Sequence, residues 1–458
     1  MSPDPTSSDP PSDSSKLNRR RFVQNFSMLA SGLSTLGFWT GGSEAKSSKD
    51  DKLNIAFVGP GGRGASNLAG MASENIVALC DVDQNSARAA FQRYPKSNHY
   101  RDYRIMLERE SGLDAVVVST PDHTHASVAL AAMKKGLHVY CEKPLGHSIY
   151  EIRQMSKVAR ETGVTTQMGT QGHAMEGSRR AVEVIRGGLL GKVRELHVWT
   201  DRPNGWWPQG EDRPSEQPPV PKTLDWDLWL GPAPYRPYHP VYVPFKWRGR
   251  WDFGTGAIGD MGVHNLDTAF WALELGTPTS AVVVESGPKT EDCPPPWSVT
   301  EIEYPSRASQ PAVKLTFYDG KKLPPAELFH GEPIPSNGSL VIGEFGTLLT
   351  RTWHGGQTEA DMFMLLPKKK PADLQLPPVT LPRTRDHHHE FVMACKGGPK
   401  TESHFEYAAR LTEGLLVGSL ALRTGKPIHW NAEKMIAEGV PEANRLIHPT
   451  FRPGWGLD

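Results

Sequence analysis

A short segment with two charges raises the first chemical question. In VYCEKPLG, residues 139–146, Glu142 and Lys143 stand directly before a proline, at the predicted end of a buried strand. One interpretation is a surface ion pair at a turn, which contributes only about 0–1 kcal/mol to stability. The other is a functional pair at the end of a parallel strand, where ligands of open α/β sheets bind.

A second segment combines a carboxylate with an imidazole. In GTGAIGDMGVHNLD, residues 254–267, Asp260 and His264 are four apart, so one helix face brings them within reach of each other. The carboxylate can fix the histidine tautomer and raise its basicity, and the other ring nitrogen can then take a proton from a substrate hydroxyl. The structural alternatives are an N-cap aspartate and a core histidine. Asn265 and Asp267 follow and are further candidates for contacts with a substrate.

The glycine-rich turn near residue 60 is typical of a dinucleotide site. An apolar strand predicted over 53–58 leads through GPGGRG into a helix, which gives G-x-G-x-x-G in its meaningful context. The first glycine permits a tight turn, the second lets the backbone approach a pyrophosphate, and the third lets the helix pack on the strand. The predicted cofactor contacts here are Gly59, Gly61, Gly62, Arg63 and Gly64.

An acidic residue at the end of the second strand favours NAD over NADP. The strand predicted over 75–80 is followed by Asp81, about 20 residues after the glycine turn, where a carboxylate can accept hydrogen bonds from the ribose hydroxyls. The same carboxylate repels a 2′-phosphate. Arg63 complicates this charge balance, and NADP is therefore the less favoured cofactor.

Strands and helices alternate through the first third of the chain, which predicts a parallel sheet with helices on both faces. Further strands are predicted over 115–119, 138–141 and 164–168, with helices over 85–94, 102–110, 123–135 and 148–162. Polar clusters follow the strands and should line one crevice. The additional cofactor contacts predicted from these clusters are Thr120, Pro121, His125, Glu142, Lys143 and Gln171.

These motifs together resemble the glucose-fructose oxidoreductase, inositol dehydrogenase and rhizopine-catabolism (Gfo/Idh/MocA) family. The resemblance rests on the glycine turn with Asp81, on STPDHTH and above all on CEKP, and it is strong over residues 53–200 and weaker to about 430. It implies an α/β protein with an N-terminal Rossmann domain and a C-terminal α/β domain built on a large, open, mostly antiparallel sheet. It also implies assembly into a homodimer or homotetramer.

The resemblance gives Lys143, Asp260 and His264 catalytic roles. The lysine of the EKP motif in this family reaches the nicotinamide ribose and the substrate hydroxyl. Beside an oxidised, cationic nicotinamide, the ammonium of Lys143 would be disfavoured, and the side chain could relay or orient a hydroxyl proton. The bond before Pro144 is a candidate for the cis form, as a tight turn allows.

Composition limits the partners. The chain carries 51 acidic and 51 basic residues, so its charge favours neither nucleic acid nor an anionic membrane, and the ligand is expected to be small and uncharged or weakly charged. The four cysteines form no CxxC pair, so neither a disulfide scaffold nor a metal site is predicted from them. With 458 residues, the chain should form two domains.

The N-terminal segment resembles an export signal. Arg19, Arg20 and Arg21 precede an apolar run too short and too polar to span a bilayer of about 30 Å, and Ser-Glu-Ala at 43–45 resembles a cleavage site. A disordered basic tail and an uncleaved anchor are the alternatives. The predicted divisions are a twin-arginine signal and linker over 1–50, an NAD(P)-binding domain over 51–170, and a substrate and oligomerisation domain over 171–458. The mature protein is expected in the periplasm or otherwise exported, without stable membrane insertion.

Two other segments in the second half carry suggestive residues. In DHHHE, residues 386–390, neighbouring side chains of a helix would point in different directions, so a helix start with exposed imidazoles is favoured over a metal site. Six tryptophans between 202 and 251 are predicted to be mostly core, with one or two in the cleft. Strands are predicted over 193–200, 281–286, 313–318 and 340–342, and a long amphipathic helix over 404–424.

Three functions are compatible with these residues. The first is an exported NAD(P)-dependent oxidoreductase that removes a hydride from a secondary hydroxyl of a sugar or polyol and holds its cofactor tightly. The second, by resemblance to NAD-dependent glycosidases of the same family, is a redox-neutral cycle of oxidation, elimination and re-reduction. Export favours a retained cofactor in both cases, since free NAD is scarce outside the cytoplasm. The third is a non-catalytic sugar-binding protein.

Overall fold

The computed structural model describes residues 52–308, 310–351, 363–368 and 375–457. The signal and linker predicted over residues 1–50 therefore lie outside the described residues. The described ranges contain two β-sheets, one of six strands and one of nine.

The first sheet is parallel throughout. Its strand order is β3-β2-β1-β4-β5-β6, and each neighbouring pair runs in the same direction. This is the order of a doubly wound dinucleotide-binding sheet, and it confirms the predicted Rossmann fold. The strands are β1 (Asn54–Val58), β2 (Asn75–Cys80), β3 (Asn98–Tyr100), β4 (Ala115–Val118), β5 (His138–Glu142) and β6 (Thr166–Gly169).

Helices follow the strands of this sheet, and their caps lie where the sequence provides acceptors. Asp83 and Asp102 cap the second and third helices through their carboxylates, and Ser148 forms a capping box with Glu151 at the fifth. The helices are α1 (Arg63–Gly70), α2 (Gln84–Arg93), α3 (Tyr103–Arg109), α4 (His125–Lys134) and α5 (Ile149–Thr162).

Both faces of the parallel sheet are buried at its central strands, which explains why β1 and β4 are almost continuously apolar. In β1, Ile55 and Phe57 join one apolar cluster, whereas Ala56 and Val58 join the other. β4 divides in the same alternating way. The period of two along each strand therefore supplies two separate layers of core.

The second sheet is mostly antiparallel, as the resemblance implied. Its order is β13-β12-β11-β7-β10-β9-β8-β14-β15, and only β7 and β10 pair in parallel. The strands are β7 (Val193–Trp199), β8 (Ser280–Ser286), β9 (Ser298–Tyr304), β10 (Val313–Tyr318), β11 (Gly338–Gly343), β12 (Thr347–Arg351), β13 (Phe363–Leu366), β14 (Ile428–Asn431) and β15 (Ile436–Glu438).

The remaining helices follow β6 in the chain, and the first of them lies between the two sheets in the sequence. They are α6 (Glu176–Arg186), α7 (Trp226–Leu230), α8 (Gly256–Leu273), α9 (His387–Cys395), α10 (Phe405–Thr424) and α11 (Pro441–Ile447), and short 3₁₀ turns lie at Asp122–Thr124, Gln171–Ala174, Lys246–Gly249 and Ala326–Phe329. α10 packs against α5 and α8 and confirms the predicted long helix.

Helix α9 comes late in the chain yet packs on the parallel sheet. Its Phe391 and Val392 belong to the same apolar cluster as Phe57 and Tyr140, and the rings of Tyr140 and Phe391 are 5.7 Å apart. At its C-terminal end the ammonium of Lys396 lies 2.9 Å from the Glu74 carboxylate in a buried ion pair. The core of the first sheet is therefore completed by residues from the far end of the sequence.

Candidate active site at the ends of the parallel strands

The glycine turn has the geometry of a dinucleotide cradle. Gly59 adopts φ +78°, and a Cβ there would lie 2.7 Å from the carbonyl oxygen of Ser119. A Cβ on Gly64 would lie 1.9 Å from the Gly59 carbonyl oxygen, so only glycine allows α1 to pack this closely on β1. Gly61 lies between these two, and Gly62 is the N-cap of α1. The turn leaves backbone, without side chains, facing the place where a pyrophosphate binds.

The second predicted cofactor contact, Asp81, lies directly after β2. Its carboxylate accepts a hydrogen bond from the backbone N–H of Asp83, at 2.9 Å. Burial raises the pKa of the Asp81 carboxyl to about 7, more than the hydrogen bonds lower it.

Glu142 forms a hub of hydrogen bonds inside the crevice. Its Oε1 accepts from Asn67 Nδ2 at 2.9 Å, from Gln171 Nε2 at 3.0 Å and from Arg63 Nε at 3.2 Å. The residue is only 5% exposed, which excludes the surface ion pair with Lys143. Its carboxylate thus links α1 to the residues that follow β6. A direct contact between Glu142 and the cofactor stays a prediction.

The structure corrects the role predicted for His125. The ring is buried, and its Nδ1 lies 2.9 Å from the Pro144 carbonyl oxygen while its Nε2 lies 2.9 Å from the Thr120 carbonyl oxygen. With both nitrogens bound to backbone, His125 braces the ends of β4 and β5 from below instead of contacting a cofactor. Pro121 precedes the 3₁₀ turn that joins β4 to α4, and its carbonyl oxygen accepts from the Thr124 N–H at 3.0 Å.

The residues of this crevice fit a dinucleotide. The glycine cradle would be filled by any Cβ, and the Thr120 hydroxyl oxygen is buried without a hydrogen-bond partner among the described residues. A ligand hydroxyl or phosphate would satisfy that orphan group. Gly59, Gly61, Gly62 and Gly64 would hold the pyrophosphate, and Asp81 the ribose hydroxyls.

Lys143 connects the parallel sheet to helix α8. Its peptide bond to Pro144 is cis, as predicted. The ammonium nitrogen Nζ donates to the Asp260 carboxylate, 2.7 Å from Oδ1, and to the Asp260 carbonyl oxygen at 2.8 Å. The predicted catalytic lysine and the predicted catalytic helix, which are far apart in sequence, therefore meet.

A second contact between the two halves positions the start of α8. The carboxylate of Asp122 accepts from the backbone N–H of Thr255 at 3.2 Å and from its hydroxyl at 3.0 Å. Thr255 is the N-cap residue of the helix, so Asp260 lies in the second turn and the N-cap alternative for it is excluded. Burial raises the pKa of the Asp122 carboxyl to about 6.

Asp260 is an ionised carboxylate among cations. Arg248 Nε lies 3.3 Å from the same Oδ1 that binds Lys143. Burial alone would raise the pKa of the Asp260 carboxyl, but the charges of Lys143 and Arg248 and the hydrogen bond from Lys143 hold it well below its usual range. Asp260 thus holds the ammonium of Lys143 in place, and its charge also raises the pKa of His264 one turn later.

His264 stands out on α8, because every other residue of that helix is buried. It is half-buried and lines a cleft between α6 and α8 whose walls include Thr268, Thr350 and Arg351. Its Nδ1 lies 3.5 Å from the Thr170 hydroxyl. This partial exposure on an otherwise buried helix argues against a core histidine.

The pKa of the His264 imidazole is set mainly by burial. Burial lowers the pKa of its imidazole well below 6.5, the charge of Lys143 lowers it further, and Asp260 raises it by less. The carboxylate of Asp260 therefore raises the pKa of His264 as predicted, but burial and the charge of Lys143 outweigh it. The imidazole is neutral at pH 7, which leaves it able to accept a proton.

The two residues proposed as extra substrate contacts position α8 and also line the cleft that contains His264, so their contact with a substrate stays a prediction. Asp267 is buried, and its carboxylate lies 2.8 Å from His173 Nδ1 and accepts from the Tyr407 hydroxyl at 2.7 Å. Asn265 donates to the Trp199 carbonyl oxygen at 2.7 Å. His173 was not anticipated, although it follows β6 in the same way as Gln171 and Thr170 do.

The histidine run begins a helix, as predicted, but its imidazoles are not exposed. Asp386 caps α9 by accepting from the His389 N–H at 2.8 Å. His387 is buried, with Nε2 2.8 Å from the Met168 carbonyl oxygen, and His388 Nε2 lies 2.9 Å from Asn67 Oδ1. Within the described ranges, no group of three His, Cys, Asp or Glu side chains is placed to hold a metal ion.

Two family models match the chain. One, an oxidoreductase family with an NAD-binding Rossmann fold, matches residues 53–170. The other, an oxidoreductase family C-terminal alpha/beta domain, matches residues 178–309. Together they account for more than half of the 458 residues, and they agree with the division between the two sheets. The parallel sheet is therefore that of an NAD-binding domain.

Curated relatives match shorter segments. A glycosyl hydrolase family 109 protein of Shewanella pealeana is 26% identical over 204 residues, which are 39% of this chain and 44% of that protein. Inositol 2-dehydrogenase 1 of Saccharopolyspora erythraea is 36% identical over 97 residues, which are 20% of this chain and 29% of that protein. The chain thus spans less than half the length of either relative.

Solved structures agree over a longer range. The WlbA dehydrogenase from Bordetella pertussis, in complex with NADH and UDP-GlcNAcA, has a TM-score of 0.58 at 17% identity, over 83% of this chain and 99% of that chain. At this identity the likeness concerns the fold. Among the described residues, no helix is both long and apolar enough to cross a membrane.

Proposed function

Because this chain belongs to the Gfo/Idh/MocA family of NAD-binding oxidoreductases, we propose that it transfers a hydride from a secondary hydroxyl of a sugar or polyol to NAD. The observation that carries the proposal is the hydrogen bond of 2.7 Å between Lys143 Nζ and Asp260 Oδ1. It joins the end of β5, where a doubly wound sheet places its ligand, to the helix that carries His264. The similarity to an inositol dehydrogenase supports a hydroxylated ring as substrate.

The residues of the chain divide the work on the substrate hydroxyl. Bound NAD supplies the hydride acceptor. His264, whose lowered pKa favours the neutral imidazole, accepts the hydroxyl proton. The hydrogen on the carbon that bears this hydroxyl leaves with its bonding electron pair as hydride, and the O–H electron pair forms the C=O bond of the ketone. Lys143 donates a hydrogen bond to the hydroxyl oxygen and orients it, and Asp260 holds the ammonium in place. In the reverse direction the same imidazole returns the proton.

The direct test uses the purified full-length protein, NAD, and a panel of sugars and polyols, with NADH absorbance as the signal. Lys143→Ala should lower the turnover rate by about 10²- to 10⁴-fold, the usual contribution of a positioned proton-handling group, and should affect NAD affinity far less, because the glycine turn and Asp81 remain. The control is Lys135→Ala, because that lysine is exposed at the end of α4. An unchanged rate in Lys143→Ala would refute the mechanism.

A redox-neutral glycosidase is the second candidate, supported by the similarity to the family 109 glycosyl hydrolase. In this case Lys143 and His264 would serve an oxidation that is reversed before product leaves. Release of the aglycone from an aryl glycoside without net NADH would select this function. A non-catalytic sugar-binding protein is the third, and it predicts neither NADH nor aglycone from any carbohydrate. The juxtaposed Lys143, Asp260 and His264 argue against it.

Export with a retained cofactor is a further part of the proposal. Arg19 to Arg21 and the following apolar run support the twin-arginine route, which carries folded proteins. An exported enzyme should then keep NAD through extensive dialysis. Replacement of Arg19, Arg20 and Arg21 by lysine should retain the protein in the cytoplasmic fraction. Periplasmic recovery of that variant would exclude the route.

Assembly into a homodimer or homotetramer is supported by an exposed apolar stretch on β8. Val282 is 38% and Val284 57% exposed on this strand of the second sheet. Val284→Lys should shift the protein toward monomer in light scattering after size-exclusion chromatography. A wild-type protein that elutes as a monomer would refute the assembly.

A further inference from the structure

A buried arginine near the proposed reaction site lacks an oxygen acceptor. Arg202 follows β7, is 7% exposed, and donates through Nη1 to the Met261 sulfur on α8. Its Nε is buried without a partner, and among the described residues it forms no ion pair. A thioether is a weak acceptor, so the guanidinium is poorly satisfied for a group that is costly to bury.

The nearby carboxylates are already engaged. Asp260 Oδ1 receives both Lys143 Nζ and Arg248 Nε, at 2.7 and 3.3 Å. Asp201 Oδ1 accepts from Asn337 Nδ2 at 3.0 Å. Burial lowers the pKa of the Arg202 guanidinium, and the charges of Asp260 and Asp201 raise it by less.

A second guanidinium, that of Arg248, lies near Arg202, and the charges of both lower the pKa of the Asp260 carboxyl. The Arg248 side chain is 19% exposed, and its Cζ lies 4.2 Å from the Phe245 ring centroid and 4.3 Å from that of Trp247. Ring stacking keeps the plane of this guanidinium fixed while Nη1 donates to the Phe245 carbonyl oxygen. Two rigid, planar donors therefore lie around one carboxylate.

An exposed indole borders the two arginines. Trp206 is 47% exposed, and Arg202 Cζ lies 3.8 Å from its ring centroid. The Phe245 ring, 37% exposed, is 6.5 Å from that of Trp206. The other five tryptophans of this region are buried, as predicted for most of them. Trp206 is thus the indole whose face a sugar ring can reach.

We propose that Arg202 and Arg248 form a carboxylate-binding subsite beside Lys143, and that the substrate is a sugar acid of the uronate type. The proposal rests on the proposed function for the reacting hydroxyl. A guanidinium presents parallel N–H donors that match the two oxygens of a carboxylate, and Trp206 offers an apolar face for the ring. The sequence favoured an uncharged or weakly charged ligand because net charge does not report a local cluster.

Binding to the NAD-loaded full-length protein tests the subsite independently of turnover. The probes are D-glucuronate and D-galacturonate, compared by calorimetry with D-glucose, D-galactose and the neutral amide D-glucuronamide. We expect at least one uronate to bind about 10- to 100-fold more tightly than its neutral counterpart, as for hydrogen bonds to a charged group. Equal affinity for acid and neutral forms, or equal affinity for inorganic sulfate, would overturn the proposal.

Variants assign the preference to the arginines. Arg202→Gln should abolish the preference for the acid over its neutral counterpart, and Arg202→Lys should restore only part of it because lysine lacks the fork. Arg194→Gln, at an exposed position of β7, is the matched control. If Arg202→Gln does not fold, the more exposed Arg248→Gln should lower the same preference. A preference that survives both changes would overturn the proposal.

The outcomes separate the subsite from the reaction. Tight uronate binding without NADH formation would refute hydride transfer and keep the subsite. NADH formation from neutral sugars, without any preference for the acid, would refute the subsite and keep hydride transfer.

Discussion

The two sides of the cleft hold their polar groups by different means. On the side of the parallel sheet, His125 joins two backbone carbonyls, and the amides of Asn67 and Gln171 converge on Glu142. On the side of α8, cations surround one carboxylate, Asp260. The first side is fixed mainly through backbone and amide hydrogen bonds, with one ion pair between Arg63 and Glu142, whereas the second is fixed mainly through opposed charges.

This difference suggests a division of labour. Hydrogen bonds from neutral groups and close backbone packing define a shape, and that shape suits a large cofactor that must be held for many turnovers. Opposed charges in a partly buried site shift proton affinities, as the lowered pKa of the Asp260 carboxyl between Lys143 and Arg248 shows. Substitutions on one side should therefore affect cofactor affinity, and those on the other side should affect turnover.

The largest expected effect is on the α8 side. His264→Gln removes the proposed proton acceptor and should lower kcat by about 10²- to 10⁴-fold while NAD affinity stays constant. His429→Gln, exposed on β14, is the control. Steady-state rates and NAD titrations measure the two quantities, and a fall in NAD affinity with unchanged kcat would break the proposed division.

Asp260→Asn should reduce both turnover and stability. The substitution leaves Lys143 and Arg248 without their counter-charge, which we expect to cost about 2–3 kcal/mol of unfolding free energy, less than a fully buried pair because these side chains keep some exposure. Since the pKa of Asp260 is lower in the folded protein, its contribution is complete above about pH 4 and is lost at lower pH. Urea unfolding should show that the difference in unfolding free energy between the wild-type protein and Asp260→Asn is smaller at pH 3 than at pH 7.

Gly64→Ala tests the shape of the cofactor side. The new Cβ would lie 1.9 Å from the Gly59 carbonyl oxygen, so α1 must move away from β1. Overpacking of this kind costs about 1–3 kcal/mol, and NAD affinity should fall by about 10- to 100-fold. Gly112→Ala, with nothing within 4 Å of the new Cβ, is the control. Unchanged NAD affinity would show that the turn is not the cradle.

The smallest effect concerns the choice of cofactor. The pKa of Asp81 is about 7, so the carboxyl becomes charged as the pH rises through neutrality, and repulsion of a 2′-phosphate grows with it. The ratio of NAD to NADP affinity should rise between pH 6 and pH 8, by about tenfold at most for one such charge. Asp81→Asn should flatten this dependence in fluorescence titrations. An equal slope in both proteins would contradict it.

The sequence predicts the parallel half well because local patterns determine it. β2 begins and ends where expected, and β1, β4 and β5 differ from prediction by one residue at one end. β3 escaped prediction since Asn98–Tyr100 is short, polar and at the sheet edge. In the second half, β9 and β12 to β15 were not predicted, although nearly all of their partners are neighbouring strands in the chain. β12 to β15 are only three to five residues long, so their apolar patterns are short.

Most residues of the site could be predicted from the sequence, but the contacts between their side chains could not. Spacing paired Asp260 with His264, whereas folding binds its carboxylate to Lys143 and Arg248. Strand-end position marked His125 as a ligand contact, whereas burial makes it a brace. Arg202 lies three residues after the end of β7, so a search for polar residues after the strands of the second sheet would have indicated it.

Helix α9 has a consequence for how the protein matures. Its Phe391 lies in the core under the nucleotide-binding strands, and Lys396 neutralises Glu74 beside them. The ribosome releases this helix long after β6, so the nucleotide-binding half lacks part of its interior during most of translation. Cofactor loading must therefore wait until synthesis is nearly finished, and a fragment that stops after β6 would emerge with an uncovered apolar face.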